Sequence, residues 1–284
     1  MSLRLDSRTR LAAVVGHPID HSLSPRLHNA WIQSAGLNAV YLALAPPRDR
    51  FAALVEGLRG GIVAGLNVTA PFKEQALVLA DRRTPEAEAA GAANLLIYTA
   101  DGEILADNTD GVGLLAALAE QAPSLDLAKG AAILLGSGGA ARGAAVALAQ
   151  AGVPRVWLTN RTETRARALA DSLAAPFGAQ IAALEAAQLP AALAEARLVI
   201  NATPSGLDAA AALNLDIGVL RQDCIVMDMV YRPLKTPLLT LAEARGLATV
   251  DGLAMLIGQA RPSFRAFFGQ DPPELDIRRE ALAP

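Results

Sequence analysis

The sequence has little of several residue types on which whole protein classes depend. Cys224 is the only cysteine, so no intrachain disulfide can form, and this favours a reducing compartment. Aromatic residues make up 4% of the 284 residues, so the core has to be built mainly from Ala, Leu and Val. The formal net charge is −3, from 25 Lys and Arg against 28 Asp and Glu, which suits a polyanion poorly. We therefore expect no nucleic-acid partner.

The chain also lacks a long apolar run. Its longest uncharged stretch, 27–47, includes Asn29, Gln33 and Asn38 and is too polar for a membrane span of about 20 apolar residues. The start, 1–6, is charged and has no apolar segment, which predicts no signal peptide. With 52% hydrophobic residues, the composition excludes a disordered chain. These features predict a soluble cytoplasmic protein with no membrane partner.

Short apolar runs alternate with segments of helical spacing along the chain. The runs lie at 11–15, 39–44 and 62–68, and again at 131–135, 156–159, 198–200 and 225–229. Such alternation predicts an α/β protein with parallel, doubly wound sheets, and the length predicts one large or two smaller domains. Within this pattern, Asp101-Gly102 predicts a hairpin turn. Ser24 is predicted to cap a helix that begins at Pro25.

The strongest local motif follows the apolar run 131–135. It consists of Gly136, Ser137, Gly138, Gly139, Ala140 and Ala141, and helical spacing follows it. The motif fits Gly-x-Gly-x-x-Gly/Ala, in which the first glycine permits a tight turn and the second lets the backbone approach a pyrophosphate at the helix start. Glycine-rich turns also occur without a ligand, but the strand before this one and the helix after it favour a bound dinucleotide.

The end of the next predicted strand, 156–159, indicates which dinucleotide is bound. An NAD site usually has Asp or Glu about 20 residues after the glycines, where it accepts from the ribose 2′-OH. This chain has Asn160, Arg161 and Thr162 there, and Arg165 follows one helical turn later. Guanidinium groups suit a 2′-phosphate, whereas the alternative is a pair of solvated arginines at a helix start. We therefore predict NADP rather than NAD.

Three further polar segments follow predicted strands in the first part of the chain. They are Ser22-Leu23-Ser24, Asn67-Val68-Thr69 with Lys73, and Asn108-Thr109-Asp110. Open α/β sheets bind ligands beyond the carboxyl ends of their strands, so these segments are candidates for a substrate site. Each also has a structural explanation: a helix cap at Ser24, a turn at Asp110, and a solvated charge at Lys73. The three histidines and the single cysteine show no metal-ligand spacing, so no metal is predicted.

These segments are part of a longer ordered set of short motifs. The set comprises Gly16-His17-Pro18-Ile19, His21-Ser22-Leu23-Ser24-Pro25, Asn67-Val68-Thr69 with Lys73, Asn94, Asn108-Thr109-Asp110-Gly111, the glycine loop, Asn160-Arg161-Thr162, Asn201-Ala202-Thr203-Pro204, Tyr231 with Thr236-Pro237-Leu238, and Gly252 through Met255-Leu256 to Gln259-Ala260. Each motif alone is weak, but the whole ordered set is very specific. From about Val15 to Phe268 the chain resembles the shikimate dehydrogenases.

The resemblance implies a reversible, NADP-dependent reduction of 3-dehydroshikimate to shikimate, a step in aromatic amino-acid biosynthesis. It implies that Lys73 and Asp110 form the catalytic pair. The residues implied in substrate binding are Ser22, Ser24, Asn67, Thr69, Asn94, Tyr231 and Gln259. Those implied in cofactor binding are Gly136, Ser137, Gly138, Gly139, Ala140, Asn160, Arg161, Thr162, Arg165, Thr203, Met229, Gly252 and Met255.

The resemblance also implies a domain organisation. It predicts two α/β domains with a cleft between them, because the family has that fold. Residues 1–110 with 252–284 are expected to form the substrate-binding and catalytic domain, and 111–251 a Rossmann domain for NADP. Family members occur as monomers and dimers, so we expect a monomer or a homodimer.

Other functions stay open at this point. Quinate/shikimate or aminoshikimate dehydrogenase-like paralogues with weak shikimate activity belong to the same family. A regulator with an inactive site would bind the dinucleotide, but Lys73 and Asp110 are both present and argue against it. A two-domain NADP dehydrogenase of the methylene-tetrahydrofolate type also has a lysine in its cleft. The Ser22/Ser24 pair favours a small carboxylate over that large pterin.

Overall fold

The computed structural model describes residues 5–205, 213 and 215–283. The chain divides into two compact units, one of Met1–Thr109 with Ile257–Pro284 and the other of Asp110–Leu256. Each unit has its own sheet. The assignment of one unit to the substrate and the other to NADP stays a prediction.

A six-stranded sheet forms the centre of the first unit. Its strands are β1 (Arg10–Val15), β2 (Ala39–Leu44), β3 (Val63–Val68), β4 (Arg82–Arg83), β5 (Leu95–Tyr98) and β6 (Ile104–Asp107), in the spatial order β2-β1-β3-β5-β6-β4. β1 pairs in parallel with β2 and β3, whereas β5 pairs antiparallel with β3 and β6. The sheet is therefore mixed: the predicted parallel pairing holds for β1 with β2 and β3 and for β4 with β6, whereas β5 is antiparallel to both of its neighbours.

The antiparallel part of this sheet has a local cause. The loop between β5 and β6 closes with a hydrogen bond from the Thr99 N–H to the Glu103 carbonyl at 2.9 Å. Gly102 has φ +85, a left-handed conformation that favours glycine. A short loop can join only antiparallel neighbours, because parallel strands need a long crossover. The hairpin predicted at Asp101-Gly102 is confirmed.

Four helices of the first unit lie in the part of the chain that ends at Thr109. They are α1 (Ser24–Ser34), α2 (Phe51–Gly57), α3 (Lys73–Leu79) and α4 (Pro85–Ala90), with a short 3-10 helix at Arg48–Arg50. The residue before α1 is Leu23, and no described side chain caps this helix. The prediction that Ser24 is the cap is wrong because Ser24 is already helical. Its own N–H donates to Ser22 Oγ at 3.3 Å.

The second unit has a sheet that is parallel throughout. Its strands are β7 (Ala131–Leu135), β8 (Arg155–Thr159), β9 (Ile181–Ala183), β10 (Ala196–Asn201), β11 (Ile225–Asp228) and β12 (Thr249–Val250), in the spatial order β9-β8-β7-β10-β11-β12. Every neighbouring pair is parallel. This is the strand order of a dinucleotide-binding Rossmann sheet, with the order reversing between β7 and β10. The predicted doubly wound sheet is confirmed in this unit.

Small residues dominate the helices of the second unit. The helices are α5 (Asp110–Gln121), α6 (Gly139–Gln150), α7 (Glu163–Phe177), α8 (Leu189–Glu195) and α9 (Pro237–Ala244), with 3-10 helices at Gly178–Gln180, Ala186–Gln188 and Ile217–Val219. α5 and α6 approach so closely that a Cβ on Gly111 would lie 2.7 Å from the Cβ of Ala147. Among the described helices, none has the length and apolar character needed to cross a membrane.

Three buried polar side chains join the carboxyl ends of β10 and β11. Asn201 and Asp228 are register partners, and Asn201 Nδ2 donates to Asp228 Oδ1 at 3.0 Å. Thr236 Oγ donates to Asp228 Oδ2 at 2.7 Å, and the Val230 N–H donates to Asp228 Oδ1 at 3.0 Å. Burial raises the pKa of Asp228, and these three donors oppose that shift by favouring the carboxylate. The loops after both strands are therefore tied to one buried carboxyl group.

Helices from the end of the chain complete the first unit. α10 (Gly252–Phe268) enters this unit at Ile257, and α11 (Ile277–Leu282) follows. Phe264 and Phe267 of α10 pack on a fully buried ring cluster with His28 and Tyr41. The His28 and Tyr41 rings stack with centroids 4.0 Å apart and an angle of 4° between their planes. Although aromatic residues are few, they are concentrated where α10 meets the sheet.

His28 is a neutral imidazole within this cluster. Neither ring nitrogen has a hydrogen-bond partner among the described residues. Burial lowers the pKa of His28 from 6.5 to about 3, because a charged imidazole would lie unpaired among aromatic rings. The folded protein therefore resists protonation of this side chain.

This burial predicts a pH-dependent stability that originates at position 28. The unfolded chain binds a proton near pH 6.5 and the folded chain near pH 3, so protons favour unfolding between these values. His28 should lower the free energy of unfolding by about 1.4 kcal/mol for each pH unit below about 6.5. Urea unfolding at about pH 7 and about pH 5 should show a smaller loss in His28→Phe than in the wild type. His17→Gln, which changes an exposed histidine, should lose as much as the wild type. An equal loss in His28→Phe would contradict the prediction.

The Asp228 network predicts a second effect on stability. Thr236→Val removes the donor to Asp228 Oδ2 and the oxygen that accepts from the Leu239 N–H at the start of α9. We expect the free energy of unfolding to fall by about 2–4 kcal/mol, measured by urea denaturation. Thr236→Ser keeps both bonds and should lose much less. Thr240→Val, which removes only a hydroxyl bonded to the Thr236 carbonyl, is the matched control. Equal losses in the Val and Ser variants of Thr236 would exclude the hydroxyl as the cause.

Candidate active site

The loops after β1 and β3 lie side by side in the first unit. The His17 N–H donates to the Ala70 carbonyl at 3.0 Å. A Cβ at Gly16 would come within 2.5 Å of the Thr69 methyl carbon, so only glycine allows this approach without a shift. The start of the loop that leads from β1 to Ser22 and Ser24 thus lies beside Thr69, at the carboxyl ends of paired strands.

Asn67, Asn94 and Gln259 share one hydrogen-bond network, in which the two asparagines are buried and Gln259 is half-buried. Asn67 Nδ2 donates to the Asn94 carbonyl at 3.3 Å, and Asn94 Nδ2 donates to Gln259 Oε1 at 3.3 Å. Thr109 joins them, because its N–H donates to Asn94 Oδ1 at 2.8 Å and its hydroxyl accepts from Asn94 Nδ2 at 3.0 Å. These amides come from distant parts of the sequence, and together they offer several groups that can bind hydroxyls.

Sequence reasoning missed two members of this network, Tyr41 and Ser263. The Tyr41 hydroxyl donates to Asn67 Oδ1 at 2.7 Å, and Asn67 Nδ2 donates to Ser263 Oγ at 2.8 Å. Ser263 lies four residues after Gln259, so both share one face of α10, which was a usable signal. Tyr41 offered a weaker one, since a buried tyrosine hydroxyl usually has a partner.

Ser22, Ser24 and Lys73 also belong to the first unit. Ser22 is half-buried and Ser24 is 5% exposed, and they are joined by the bond from the Ser24 N–H to Ser22 Oγ. Lys73 is half-buried and is the first residue of α3. Its carbonyl accepts from the Ala93 N–H at 2.8 Å, so its backbone lies beside the segment that carries Asn94.

Asp110 and Tyr231 fall in the second unit. Asp110 is buried at the first residue of α5, directly after Thr109. Tyr231 is half-buried in the loop that follows β11. The pairing of Asp110 with Lys73, and of Tyr231 with the two serines, stays a prediction.

The glycine loop has the backbone that its motif predicts. Gly136 directly follows β7 with φ +117, and a Cβ there would lie 3.0 Å from the Ala202 carbonyl oxygen. Gly138 precedes α6, and a Cβ built on it would meet nothing within 4 Å. Its backbone therefore borders open space at a helix N-terminus, where a pyrophosphate can bind to N–H groups. Ser137 lies between these two glycines, and Gly139 and Ala140 are the first residues of α6.

The other residues proposed to bind the cofactor follow β10, β11 and β12. Neighbouring protein groups contact each of them closely. Thr203 Oγ donates to Asn201 Oδ1 at 2.6 Å. Gly252 lies against the loop after β11, where a Cβ would be 2.4 Å from the Met229 carbonyl oxygen. Met255 is buried in the first turn of α10. The carboxyl edge of the second sheet thus gathers most residues of the predicted dinucleotide site.

The segment after β8 presents two exposed guanidinium groups. Arg161 precedes the cap residue Thr162, and Arg165 lies in the first turn of α7. Asn160 Nδ2 donates to the Thr162 carbonyl at 3.3 Å, which closes the turn. Within the described part of the chain, neither Arg161 nor Arg165 forms an ion pair with a carboxylate. The donor set fits a 2′-phosphate, because two guanidinium groups are available and the acidic side chain of this turn, Glu163, accepts instead from the Ala186 N–H at 3.2 Å.

Comparison with known families accounts for most of the chain. Residues 14–96 match the model described as the shikimate dehydrogenase substrate binding domain. Residues 117–222 match the model described as shikimate / quinate 5-dehydrogenase. A protein named shikimate dehydrogenase (NADP(+)) from Caulobacter vibrioides is 52% identical over 273 residues, which cover 96% of this chain and 94% of that protein.

Solved structures give the same result. The shikimate 5-dehydrogenase of Thermus thermophilus, in complex with NADP(H) and shikimate, is 37% identical with a TM-score of 0.83, over 96% of this chain and 98% of that one. The quinate dehydrogenase of Corynebacterium glutamicum, in complex with NAD, is 31% identical with a TM-score of 0.85, over 96% and 97%. With two matching family models and a relative at 52% identity over nearly its full length, the chain belongs to the shikimate dehydrogenase family.

Proposed function

We propose that the chain catalyses the reversible, NADP-dependent reduction of 3-dehydroshikimate to shikimate in aromatic amino-acid biosynthesis. The observation that carries this proposal is the amide network of Asn67, Asn94 and Gln259 at the carboxyl ends of the first sheet. A small ring with several hydroxyl groups needs such a concentration of donors and acceptors. The family to which the chain belongs supports the same reaction.

The substrate would be held at its two ends. Ser22 and Ser24, helped by Tyr231, would bind the carboxylate, because hydroxyl donors in adjacent positions suit a small anion. Asn67, Thr69, Asn94 and Gln259 would bind the ring hydroxyls. In this proposal the first unit carries most of the substrate contacts.

The cofactor would be held by the second unit. When bound, NADPH would supply the hydride for the C3 carbonyl carbon. Gly136, Ser137, Gly138, Gly139 and Ala140 would bind its pyrophosphate at the start of α6. Asn160, Arg161, Thr162 and Arg165 would surround the 2′-phosphate, and Thr203, Met229, Gly252 and Met255 would complete the site.

Lys73 would supply the proton that the reduction requires. As hydride reaches C3, negative charge develops on the carbonyl oxygen. The Lys73 ammonium would stabilise this charge and then donate a proton from Nζ to form the C3 hydroxyl. In the reverse direction the neutral amine would accept that proton. Asp110 would orient the amine. We place the enzyme in the cytoplasm, since its one cysteine indicates a reducing compartment. We propose that it is a monomer or a homodimer.

The proposal is tested by initial rates of oxidation for shikimate and quinate, each with NADP⁺ and with NAD⁺. We expect the shikimate/NADP⁺ pair to give the highest kcat/KM. A preference for quinate would move the protein to the alternative function. That alternative has a specific basis, because a quinate dehydrogenase complexed with NAD is among the similar structures. Weak rates in all four assays would overturn the proposed reaction.

Lys73→Ala should separate catalysis from binding. We expect kcat to fall by about 10²–10⁴-fold with little change in the KM for shikimate, because the proton donor acts in the transition state. Lys129→Ala changes an exposed lysine paired with Asp126 at 3.1 Å and should leave kcat unchanged. Steady-state kinetics at saturating NADP⁺ measure both variants. Near-normal turnover in Lys73→Ala would remove this residue from the mechanism.

Arg161→Ala should weaken the choice of NADP over NAD. We expect the KM for NADP⁺ to rise by about 10–100-fold, since one charge-assisted contact to the 2′-phosphate is lost. The KM for NAD⁺ should change little. Arg167→Ala is the matched control, because Arg167 lies on α7, which follows Arg161, and pairs with Glu185 at 3.5 Å. An equal rise in the KM for NADP⁺ and the KM for NAD⁺ would show that Arg161 does not bind the 2′-phosphate.

A further inference from the structure

We propose that Tyr41 and Ser263 are positioning residues that fix Asn67 as a hydrogen-bond acceptor for a substrate hydroxyl. The inference rests on the proposed function and extends it, because it states which chemical group Asn67 recognises. Asn67 touches the substrate in this account, whereas Tyr41 and Ser263 act only through Asn67.

The hydrogen-bonding capacity of Asn67 is nearly filled within the protein. A carboxamide has two N–H donors and one oxygen with two acceptor positions. Nδ2 donates to Ser263 Oγ at 2.8 Å and to the Asn94 carbonyl at 3.3 Å, which engages both donors. Oδ1 accepts from the Tyr41 hydroxyl at 2.7 Å, which engages one acceptor position. What Asn67 can still offer to a ligand is the second acceptor position of Oδ1.

The neighbours also determine which way the amide points. The Ser263 hydroxyl donates to the Gln259 carbonyl at 3.1 Å, so it can only accept from Asn67. The Asn94 carbonyl is likewise an acceptor. The atom of Asn67 that faces both must therefore be the nitrogen, and the atom that faces Tyr41 must be the oxygen. A reversed amide would set oxygen against two acceptors.

The geometry of the first sheet holds Tyr41 at the distance that this bond requires. Tyr41 is the register partner of Ala12 in β1, and Asn67 is the partner of Val14 in the same strand. Ala12 and Val14 are two residues apart, so both side chains project from the same face of the sheet. The ring of Tyr41 is held by stacking on His28. Tyr41 and Ser263 are fully buried and Asn67 is 5% exposed, so water competes little for these bonds.

An acceptor at this place discriminates between substrates. It binds a hydroxyl, which donates, and it repels a carbonyl or ether oxygen in the same position. A site built around a hydroxyl rejects analogues that lack it, because its own polar groups then stay unpaired. Asn67 would therefore contact a ring hydroxyl that stays a hydroxyl throughout the reaction, and not the C3 oxygen that becomes a carbonyl.

Tyr41→Phe is the first test, because it removes one hydrogen bond and keeps the stacked ring. We expect the KM for shikimate to rise about 3–10-fold while the KM for NADP⁺ changes little. Tyr98→Phe is the matched control. Tyr98 lies in the same unit, and its hydroxyl donates to the Val55 carbonyl at 2.8 Å. Its removal should leave the KM for shikimate unchanged.

A double-mutant cycle decides whether the effect passes through Asn67. We expect Asn67→Ala to raise the KM for shikimate, and Tyr41→Phe to add nothing in the Asn67→Ala background. Ser263→Ala should behave in the same way as Tyr41→Phe. If Tyr41→Phe does not fold, the cycle with Ser263→Ala gives the decision.

The outcomes separate this inference from the proposed function. A wild-type enzyme that oxidises shikimate, together with fully additive effects in the cycle, overturns the positioning role alone. An equal rise of the KM for shikimate in Tyr41→Phe and Tyr98→Phe does the same. A wild-type enzyme without shikimate activity overturns the proposed function, and with it this inference.

Discussion

A buried amide or carboxyl group has to be hydrogen-bonded, and this requirement organises both units at the carboxyl ends of their central strands. In the first unit, Asn67 is bonded by groups from β2, from the segment before β5 and from α10, so three distant parts of the chain must come together around one side chain. In the second unit, Asp228 has the same role for the loops after β10 and β11. Asn94, Thr203 and Tyr231, which are proposed to bind ligands, lie on or beside the segments that these buried groups join.

The two units pack their cores differently, although aromatic residues are few in the chain as a whole. The second unit is packed with small residues, and α6 alone buries Ala and Gly over most of its length. Small side chains let helices approach closely, as at Gly111 and Ala147. The first unit concentrates its rings between α10 and the sheet, where they surround His28 and Tyr41. The rigid aromatic contact thus lies directly behind the polar network of the proposed substrate site.

Local patterns predicted what local forces determine. The glycine loop, the arginines after β8 and the hairpin at Asp101-Gly102 were readable because turn geometry and charge act over a few residues. Ser24 was read as a cap because its position before a proline fits that role, yet the helix begins one residue earlier. The edge strands β4 and β9 are too short to show a pattern of their own, because tertiary pairing alone makes them strands. Tyr41 and Ser263 could not be joined to Asn67 from the sequence, since that requires the register of β1 to β3 and the path of α10.

The bond between Asn67 and Ser263 spans 196 positions of the chain, and both residues belong to the first unit. Asp110–Leu256, the second unit, is continuous and is synthesised in between. On the ribosome the second unit can therefore fold before the part of α10 that belongs to the first unit has been synthesised. A nascent chain in which Ser263 has not yet emerged has a complete glycine loop but lacks one partner of Asn67. The unit proposed to bind the dinucleotide thus has its whole sequence available before the unit proposed to bind the substrate.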